Sequence, residues 1–154
     1  MDIEFKLSTE LVESAYPVRA QIVEPSDTLG RVFELLQRRN SGCVLICEDG
    51  ELKGIFTERD AIRLLHRGFD TSAPISDVMV EEPITIRPSA TIGAAILRMS
   101  SGGYRRLPIV DTDGHVLGLL QTAGVLHYLV EQIPKTIYNL PPVDHTVMQE
   151  REGP

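Results

Sequence analysis

The fold is decided by a short stretch that occurs twice in the chain, as PSDTLG at residues 25–30 and as PSATIG at residues 88–93. In both copies the apolar positions that follow recur at i, i+3, i+4 and i+7, a spacing that predicts an amphipathic helix. These positions are Leu29, Val32, Phe33 and Leu36 in the first copy and Ile92, Ala95, Ile96 and Met99 in the second. Such a duplication indicates two copies of one supersecondary unit packed together, with a cleft suited to a ligand between them.

Length and charge narrow the class of protein. With 154 residues, of which 42% are hydrophobic, the chain is large enough for one compact body with a sizeable core. Its apolar runs are too short to span a bilayer, and residues 1–4 lack the layout of a secretory signal, so we expect a cytoplasmic protein without membrane association. The net charge of −7 opposes non-specific binding of nucleic acid, which is therefore not an expected partner.

The cysteines and histidines give no sign of a disulfide or a metal. Cys43 and Cys47 lie in a strand-like segment, where a separation of four residues spans about 13 Å, too far for a disulfide bond. We expect both to be reduced core residues. The histidines show no metal-ligand spacing with one another or with cysteine, so no metal site is predicted.

The residue pattern of each copy predicts five elements in the order strand, helix, strand, strand, helix. In the first copy these elements are expected at residues 20–23, 28–40, 43–47, 52–56 and 57–67, with a turn and helix cap at 25–27 and a hairpin turn at 48–50. In the second they are expected at residues 84–87, 91–101, 107–110, 116–120 and 122–132. The chain then divides into a lead-in at 1–17, a first domain at 18–68, a second at 79–133 and an extended tail at 134–154.

The segment with the most chemical content is GIFTERD at residues 54–60. One interpretation is structural, since Thr57 and Asp60 have the spacing of a capping box at the start of a helix. The other is functional, since a helix start favours a phosphate and both oxygens of a carboxylate can accept the two hydroxyls of a ribose. Neither interpretation provides a nucleophile with a base, so the chain is not predicted to be an enzyme.

At these residues the chain resembles a tandem pair of CBS domains (the cystathionine β-synthase regulatory domain), known as a Bateman module. The family's Gly-apolar-apolar-Thr/Ser-x-x-Asp motif is matched at residues 54–60, its Leu-Pro-apolar-Val-Asp strand at 107–111 and its opening segment at 79–91. The resemblance covers roughly residues 16–132. It implies a mixed α/β (α+β) fold of two pseudo-symmetric β-α-β-β-α repeats packed through their sheets, and a disc-like homodimer.

The second copy departs from the family motif. It reads GLLQTAG at residues 118–124, with Gln121 in place of the Thr or Ser and Gly124 in place of the carboxylate. The second cleft therefore lacks the family's means of holding a ribose. We expect one nucleotide per chain, in the cleft that carries Thr57 and Asp60.

The resemblance also implies which residues surround the ligand. Thr57 and Asp60 are expected to hold phosphate and ribose, with Ile55 along one wall. The residues expected from the second copy are Met79, Ile84, Tyr104, Arg105 and Pro108 around the base, and Arg105 with Arg106 near the phosphates. Alternatively, the arginine pair is a solvated surface and Tyr104 is a half-buried strand aromatic.

The function implied is that of a stand-alone regulatory module that requires no cofactor. It would bind an adenine nucleotide (AMP, ADP or ATP) or an adenosyl ligand, with NAD(H) and S-adenosylmethionine also considered, and signal to an unidentified partner protein. The alternative is a structural dimerisation module with a vestigial nucleotide site.

Two further predictions concern assembly. The last helix of each repeat is expected to face the core through Ala61, Ile62 and Leu65, and through Val125, Leu126 and Leu129, which leaves Leu64 and Tyr128 for a dimer interface. The tail contains an apolar cluster, so residues 136–141 are expected to dock on the dimer or a partner while the last few residues stay mobile.

Overall fold

The structure, a computed structural model, describes residues 2–39 and 42–133, except for the side chain of Arg39. The predicted docking of residues 136–141 lies outside this range. The helices are α1 (Ile3–Thr9), α2 (Leu29–Arg39), α3 (Glu58–Arg67), α4 (Ile92–Gly102) and α5 (Thr122–Gln132), with 3-10 turns at Val12–Ala15 and Ile75–Asp77. The strands are β1 (Ile22–Val23), β2 (Cys43–Glu48), β3 (Glu51–Thr57), β4 (Val80–Glu81), β5 (Arg106–Val110) and β6 (Val116–Gln121).

The two repeats have matching sheets. The first sheet has the order β1-β2-β3-β4, and the second consists of β5 and β6, extended by single bridges from Ile86 to Ile109 and from Val18 to Leu119. The β2–β3 register shifts between Ile46 and Cys47, and the β5–β6 register shifts at the corresponding place after Ile109. Because even this irregularity is duplicated, the predicted α/β fold of two pseudo-symmetric repeats is confirmed.

The repeats exchange the segments that precede them, residues 10–18 and 73–81, which we call the opening segments. Val12, from the first opening segment, is 1% exposed in the core of the second repeat, and Ile75, from the second, is fully buried in the core of the first. β4 likewise joins the first sheet by pairing antiparallel with β3. Each repeat therefore completes its core and sheet with chain that precedes the other.

The chain just before each opening segment explains the glycine in each copy of the repeated stretch. At the start of α2, the N–H of Gly30 donates to the carbonyl of Thr71 (2.9 Å), and a Cβ on Gly30 would lie 3.3 Å from that oxygen. At the start of α4, a Cβ on Gly93 would lie 2.9 Å from the carbonyl oxygen of Leu7. Glycine at both positions lets the incoming backbone approach the helix closely.

The predicted lead-in is more ordered than its sequence suggested. Residues 3–9 form α1, where the side chain of Asp2 caps the helix by accepting the N–H of Glu4 (3.2 Å). Leu7 packs against the core of the second repeat. The strand predicted at 84–87 is reduced to the bridge at Ile86, and β4 was not predicted, because both depend on contacts with distant chain.

The predicted core faces of α3 and α5 are confirmed at Ala61, Val125 and Leu129 and are wrong at the remaining positions, which include Leu65 at 56% exposed. Leu64 packs against the first core and Tyr128 is only 4% exposed in the second. Ile62 and Leu126, which were assigned to the core, are 66% and 60% exposed. The core face of α3 is instead set by Ala61 and Leu64 at the i, i+3 spacing. Among the described residues, no helix has both the length and the apolarity needed to cross a bilayer.

Candidate ligand-binding site

The motif of the first repeat forms a reciprocal capping box where β3 passes into α3. The N–H of Asp60 donates to Oγ1 of Thr57 (3.3 Å), while Oδ2 of Asp60 accepts both the backbone N–H (2.9 Å) and the hydroxyl (3.0 Å) of Thr57. The structural interpretation of this pair is therefore correct. It leaves Oδ1 of the half-buried Asp60 carboxylate without a hydrogen bond within the described chain.

A second predicted residue, Met79, is brought to this strand by the exchanged segment. A Cβ on Gly54 would lie 2.5 Å from Sδ of Met79, so the motif glycine provides the space for this side chain. Ile55, half-buried on β3, pairs with Val80 in the next position. The motif strand and the second opening segment thus form one continuous surface.

Arg106 also crosses from the second repeat to the first. Its guanidinium lies directly over Gly42, where a Cβ would meet the side chain at far less than contact distance. Gly42 precedes β2, and its carbonyl accepts the N–H of Glu58, the first residue of α3 (3.0 Å). These contacts place Arg106 near the start of α3, and its predicted role beside the phosphates stays a prediction.

Ile84 and Tyr104 line the same cavity of about 450 Å³ in the second repeat. They are 42% and 40% exposed, so Tyr104 is not a half-buried strand residue; it lies in the loop before β5. The other residues that line the cavity are Pro83, Thr85, Arg98, Ser101 and Gly102. Sequence reasoning missed these five, although Arg98 and Ser101 have the i, i+3 spacing that places side chains on one helix face.

The remaining predicted residues have different surroundings. Pro108 is buried within β5, opposite Leu119, and its carbonyl accepts the N–H of Ile86 (2.9 Å). Arg105 is exposed, and its carbonyl accepts the N–H of Thr122 (3.0 Å). The structure therefore groups Ile55 with Met79 and Ile84 with Tyr104, and makes Pro108 part of the sheet. A ligand role for each of these residues stays a prediction.

The equivalent position in the second repeat is filled by the chain itself. A Cβ on Gly124, which replaces the motif carboxylate, would lie 2.3 Å from the carbonyl oxygen of Ala15 and 3.2 Å from that of Tyr16. Gln121 stands at the helix N-cap but makes no cap hydrogen bond through its side chain. The first opening segment therefore occupies the space that a side chain at position 124 would need.

A polar cluster holds this segment on α5. The hydroxyl of Tyr16 lies 2.6 Å from both carboxylate oxygens of Glu131, and Nε2 of His127 lies 2.7 Å from Oε1 of the same carboxylate. The hydrogen bond to Glu131 raises the pKa of Tyr16. Tyr16 adopts a left-handed backbone conformation (φ 55°), which a residue with a side chain rarely takes without compensating contacts.

The hairpin of the second repeat brings together Asp111, Asp113 and His115. Oδ1 of Asp111 accepts the backbone N–H groups of Asp113 and His115, both at 2.9 Å, and these bonds lower the pKa of Asp111. The arrangement is that of a side chain closing its own turn. Within the described chain Cys43 and Cys47 are both buried and in no disulfide, in agreement with their predicted place in the core.

Comparison with known proteins accounts for the duplication. The family model for the CBS domain matches residues 12–67 and 75–131, which together make up most of the chain. The protein belongs to the CBS-domain family and carries two such domains in tandem, as a Bateman module does.

Relatives of this kind occur in several organisms. The CBS domain-containing protein YhcV of Bacillus subtilis is 33% identical over 106 residues, which are 68% of this chain and 76% of that protein. Other relatives are much longer: this chain spans 20% of the inosine-5′-monophosphate dehydrogenase of Thermoplasma acidophilum, to which it is 29% identical over 104 residues.

Two solved structures share the fold. Protein PAE2072 from Pyrobaculum aerophilum, complexed with AMP, superposes with a TM-score of 0.71 at 17% identity, over 79% of this chain and 96% of that one. The CBS domain pair of protein MJ0100, in complex with 5′-methylthioadenosine and S-adenosylmethionine, gives 0.70 at 20% identity, over 77% and 98%. At these identities the likeness concerns the fold alone.

Proposed function

We propose that this protein is a non-enzymatic regulatory module that binds one adenine nucleotide or adenosyl ligand per chain and relays its presence to a partner protein. The adenine ligands of PAE2072 and MJ0100 support the ligand class. The ligand would lie at the start of α3 and extend toward the cavity that contains Ile84 and Tyr104.

The observation that carries this proposal is the state of Asp60. Its carboxylate is held by Thr57 through Oδ2, while Oδ1 accepts no hydrogen bond within the described chain. A carboxylate fixed before the ligand arrives loses little side-chain entropy on binding, which favours affinity. Position 124, by contrast, has neither a side chain nor space for one. This asymmetry supports a single site.

Calorimetry of the purified chain against AMP tests the proposal. We expect one site per chain and a loss of affinity of at least tenfold, about 1.4 kcal/mol, for Asp60→Ala. Asp70→Ala is the matched control, because Asp70 also accepts hydrogen bonds from a nearby backbone N–H and hydroxyl, both of Ser72, but lies outside the site. Two equal sites, or normal binding by Asp60→Ala, would contradict the proposal.

A structural dimerisation module remains the second candidate, favoured by the apolar surface of the first repeat. Ile62 and Leu65 are 66% and 56% exposed and line an open groove of about 370 Å³ together with Phe33 and Leu36. Leu126 occupies the position of Ile62 in the second repeat and is equally exposed. A homodimer that buries both surfaces is compatible with the nucleotide-binding module and with the structural dimerisation module. Binding of AMP is expected only for the first of these functions.

A further inference from the structure

The solvent-facing side of α3 carries a row of arginines. Arg59, Arg63 and Arg67 recur at intervals of four residues, a spacing that makes them neighbours on one side of the helix, and all three are exposed. The row extends about 12 Å along α3, at 1.5 Å per residue. We call these three residues the basic strip. It begins next to Asp60, at the start of the helix that carries the candidate site.

The stability of α3 does not explain the basic strip. Like charges four residues apart destabilise a helix, and a positive charge in the first turn, such as that of Arg59, opposes the helix dipole. Within the described residues none of the three arginines forms an ion pair, although the chain has a net charge of −7. The strip therefore presents three positive charges that are available to a partner.

The second repeat has no equivalent of this strip on its last helix. At the counterpart positions, α5 carries one small residue, one histidine and one carboxylate: Ala123, His127 and Glu131. The last two contact each other, since Nε2 of His127 lies 2.7 Å from Oε1 of Glu131. The strip is therefore a feature of the first repeat, which also retains the motif carboxylate.

The basic strip and the apolar groove lie on different sides of α3. Ile62 and Leu65 line the groove, and with 3.6 residues per turn Arg63 lies roughly 100° around the helix from the first and roughly 160° from the second. A homodimer that buries the groove therefore does not need to cover the strip.

We propose that the basic strip is the docking surface for the regulated partner, which contributes an acidic helix with carboxylates at the same four-residue spacing. The inference rests on the proposed function and names the chemistry of its partner. Arginine suits this contact because its planar guanidinium can donate two parallel hydrogen bonds to one carboxylate. Nucleic acid is a less suitable occupant, because the net charge of −7 repels the phosphates that extend beyond the strip.

NMR titration of the isotope-labelled full chain with a designed peptide tests this proposal. The probe is an alanine-rich peptide of about 17 residues, long enough to form a helix, with glutamate at i, i+4 and i+8. Its control peptide has glutamine at those three positions. In about 0.05 M salt we expect the glutamate peptide to shift the signals of α3 and to bind roughly tenfold more tightly than the glutamine peptide. This preference should disappear in about 1 M salt.

Paired substitutions test whether the strip is the surface that binds. Arg63→Gln together with Arg67→Gln should abolish the preference for glutamate, while the affinity for AMP stays within about twofold. Arg31→Gln together with Arg38→Gln is the matched control, because it removes the same charge from exposed arginines of α2 and should keep the preference. Neither pair should lower the urea midpoint, since all four positions are exposed.

The outcomes separate this inference from the proposed function. Equal binding of the two peptides, or a preference that survives Arg63→Gln with Arg67→Gln, would overturn the inference. Duplex DNA of about 20 base pairs that binds at α3 more tightly than the glutamate peptide would also overturn it. The proposed function stands in each case if AMP binds. If AMP does not bind but the preference is found and is lost as expected, the docking surface stands and the nucleotide site is wrong.

Discussion

The carbonyl oxygen of Ala15 lies 2.3 Å from the place where a Cβ on Gly124 would be. Gly124 stands where the motif of the first repeat has its carboxylate, so the second repeat has a contact within the chain where the first has the proposed ligand contact. The backbone of the first opening segment passes over the start of α5, and Tyr16 fastens it to Glu131.

Restoring the motif with Gln121→Thr and Gly124→Asp should therefore not create a second site. We expect the pair of changes to lower the free energy of unfolding by roughly 1–3 kcal/mol, since the new side chain must displace a backbone carbonyl. Denaturant unfolding measures the loss and calorimetry the stoichiometry.

Ala123→Asp is the control for these changes, because Ala123 is exposed in the same helical turn. A carboxylate in the first turn of a helix has a neutral to favourable effect on stability. A stable variant with two nucleotides per chain would show that the first opening segment does not fill the second cleft.

Gly30→Ala and Gly93→Ala should have different effects on the free energy of unfolding. Alanine is intrinsically better than glycine within a helix by roughly 0.5–1 kcal/mol. At Gly30 this gain should approximately offset the 3.3 Å contact with the loop at Thr71. At Gly93 the oxygen of Leu7 is at 2.9 Å and belongs to α1, which packs on α4, so we expect a net loss of about 1–2 kcal/mol. Equal effects on the urea midpoint would contradict this interpretation.

Charges on the exposed apolar positions should disrupt the homodimer. We expect Ile62→Lys and Leu126→Lys to shift the chain toward monomer in analytical ultracentrifugation at micromolar concentration, with little change in stability because both positions are exposed. Leu97→Lys is the control, since Leu97 is 68% exposed on α4 while its counterpart in the first repeat is Glu34. If the unmodified chain is already monomeric, the homodimer is wrong.

Cys43 should be unreactive in the folded protein. Burial raises its thiol pKa from 9.0 to about 11, and the nearby charge of Arg106 acts in the opposite direction. Alkylation by iodoacetamide at pH 8 should therefore be slow until the chain unfolds. Because the unfolded thiol loses its proton first, stability should fall as the pH rises from about 9 to about 11, and Cys43→Ala should reduce this fall. Rapid labelling of native Cys43 would contradict the prediction.

The local elements and the first motif could be predicted from sequence because their signals are local. The heptad-like spacing from Leu29 defined α2, and the separation of Thr57 and Asp60 defined the cap of α3. The exchange of opening segments, the role of Gly42 and the close approach of Ala15 to Gly124 could not be predicted. Each depends on contacts between segments that are far apart in the chain. The sequence around a glycine does not indicate which distant segment contacts it. The predicted core faces of α3 and α5 were wrong in part for a related reason, since adjacent apolar residues fit either of two rotations of the helix.

The exchanged opening segments also bear on how such a chain arose. Val12 and Ile75 each close the core of the other repeat, so one repeat alone would leave both an unfilled core and a detached segment. A single-repeat ancestor could complete itself only by pairing with a second copy of its own chain. In this view, gene duplication and fusion turned an intertwined dimer of short chains into one polypeptide. After fusion the two halves could diverge, and one could lose the motif carboxylate while the other kept it.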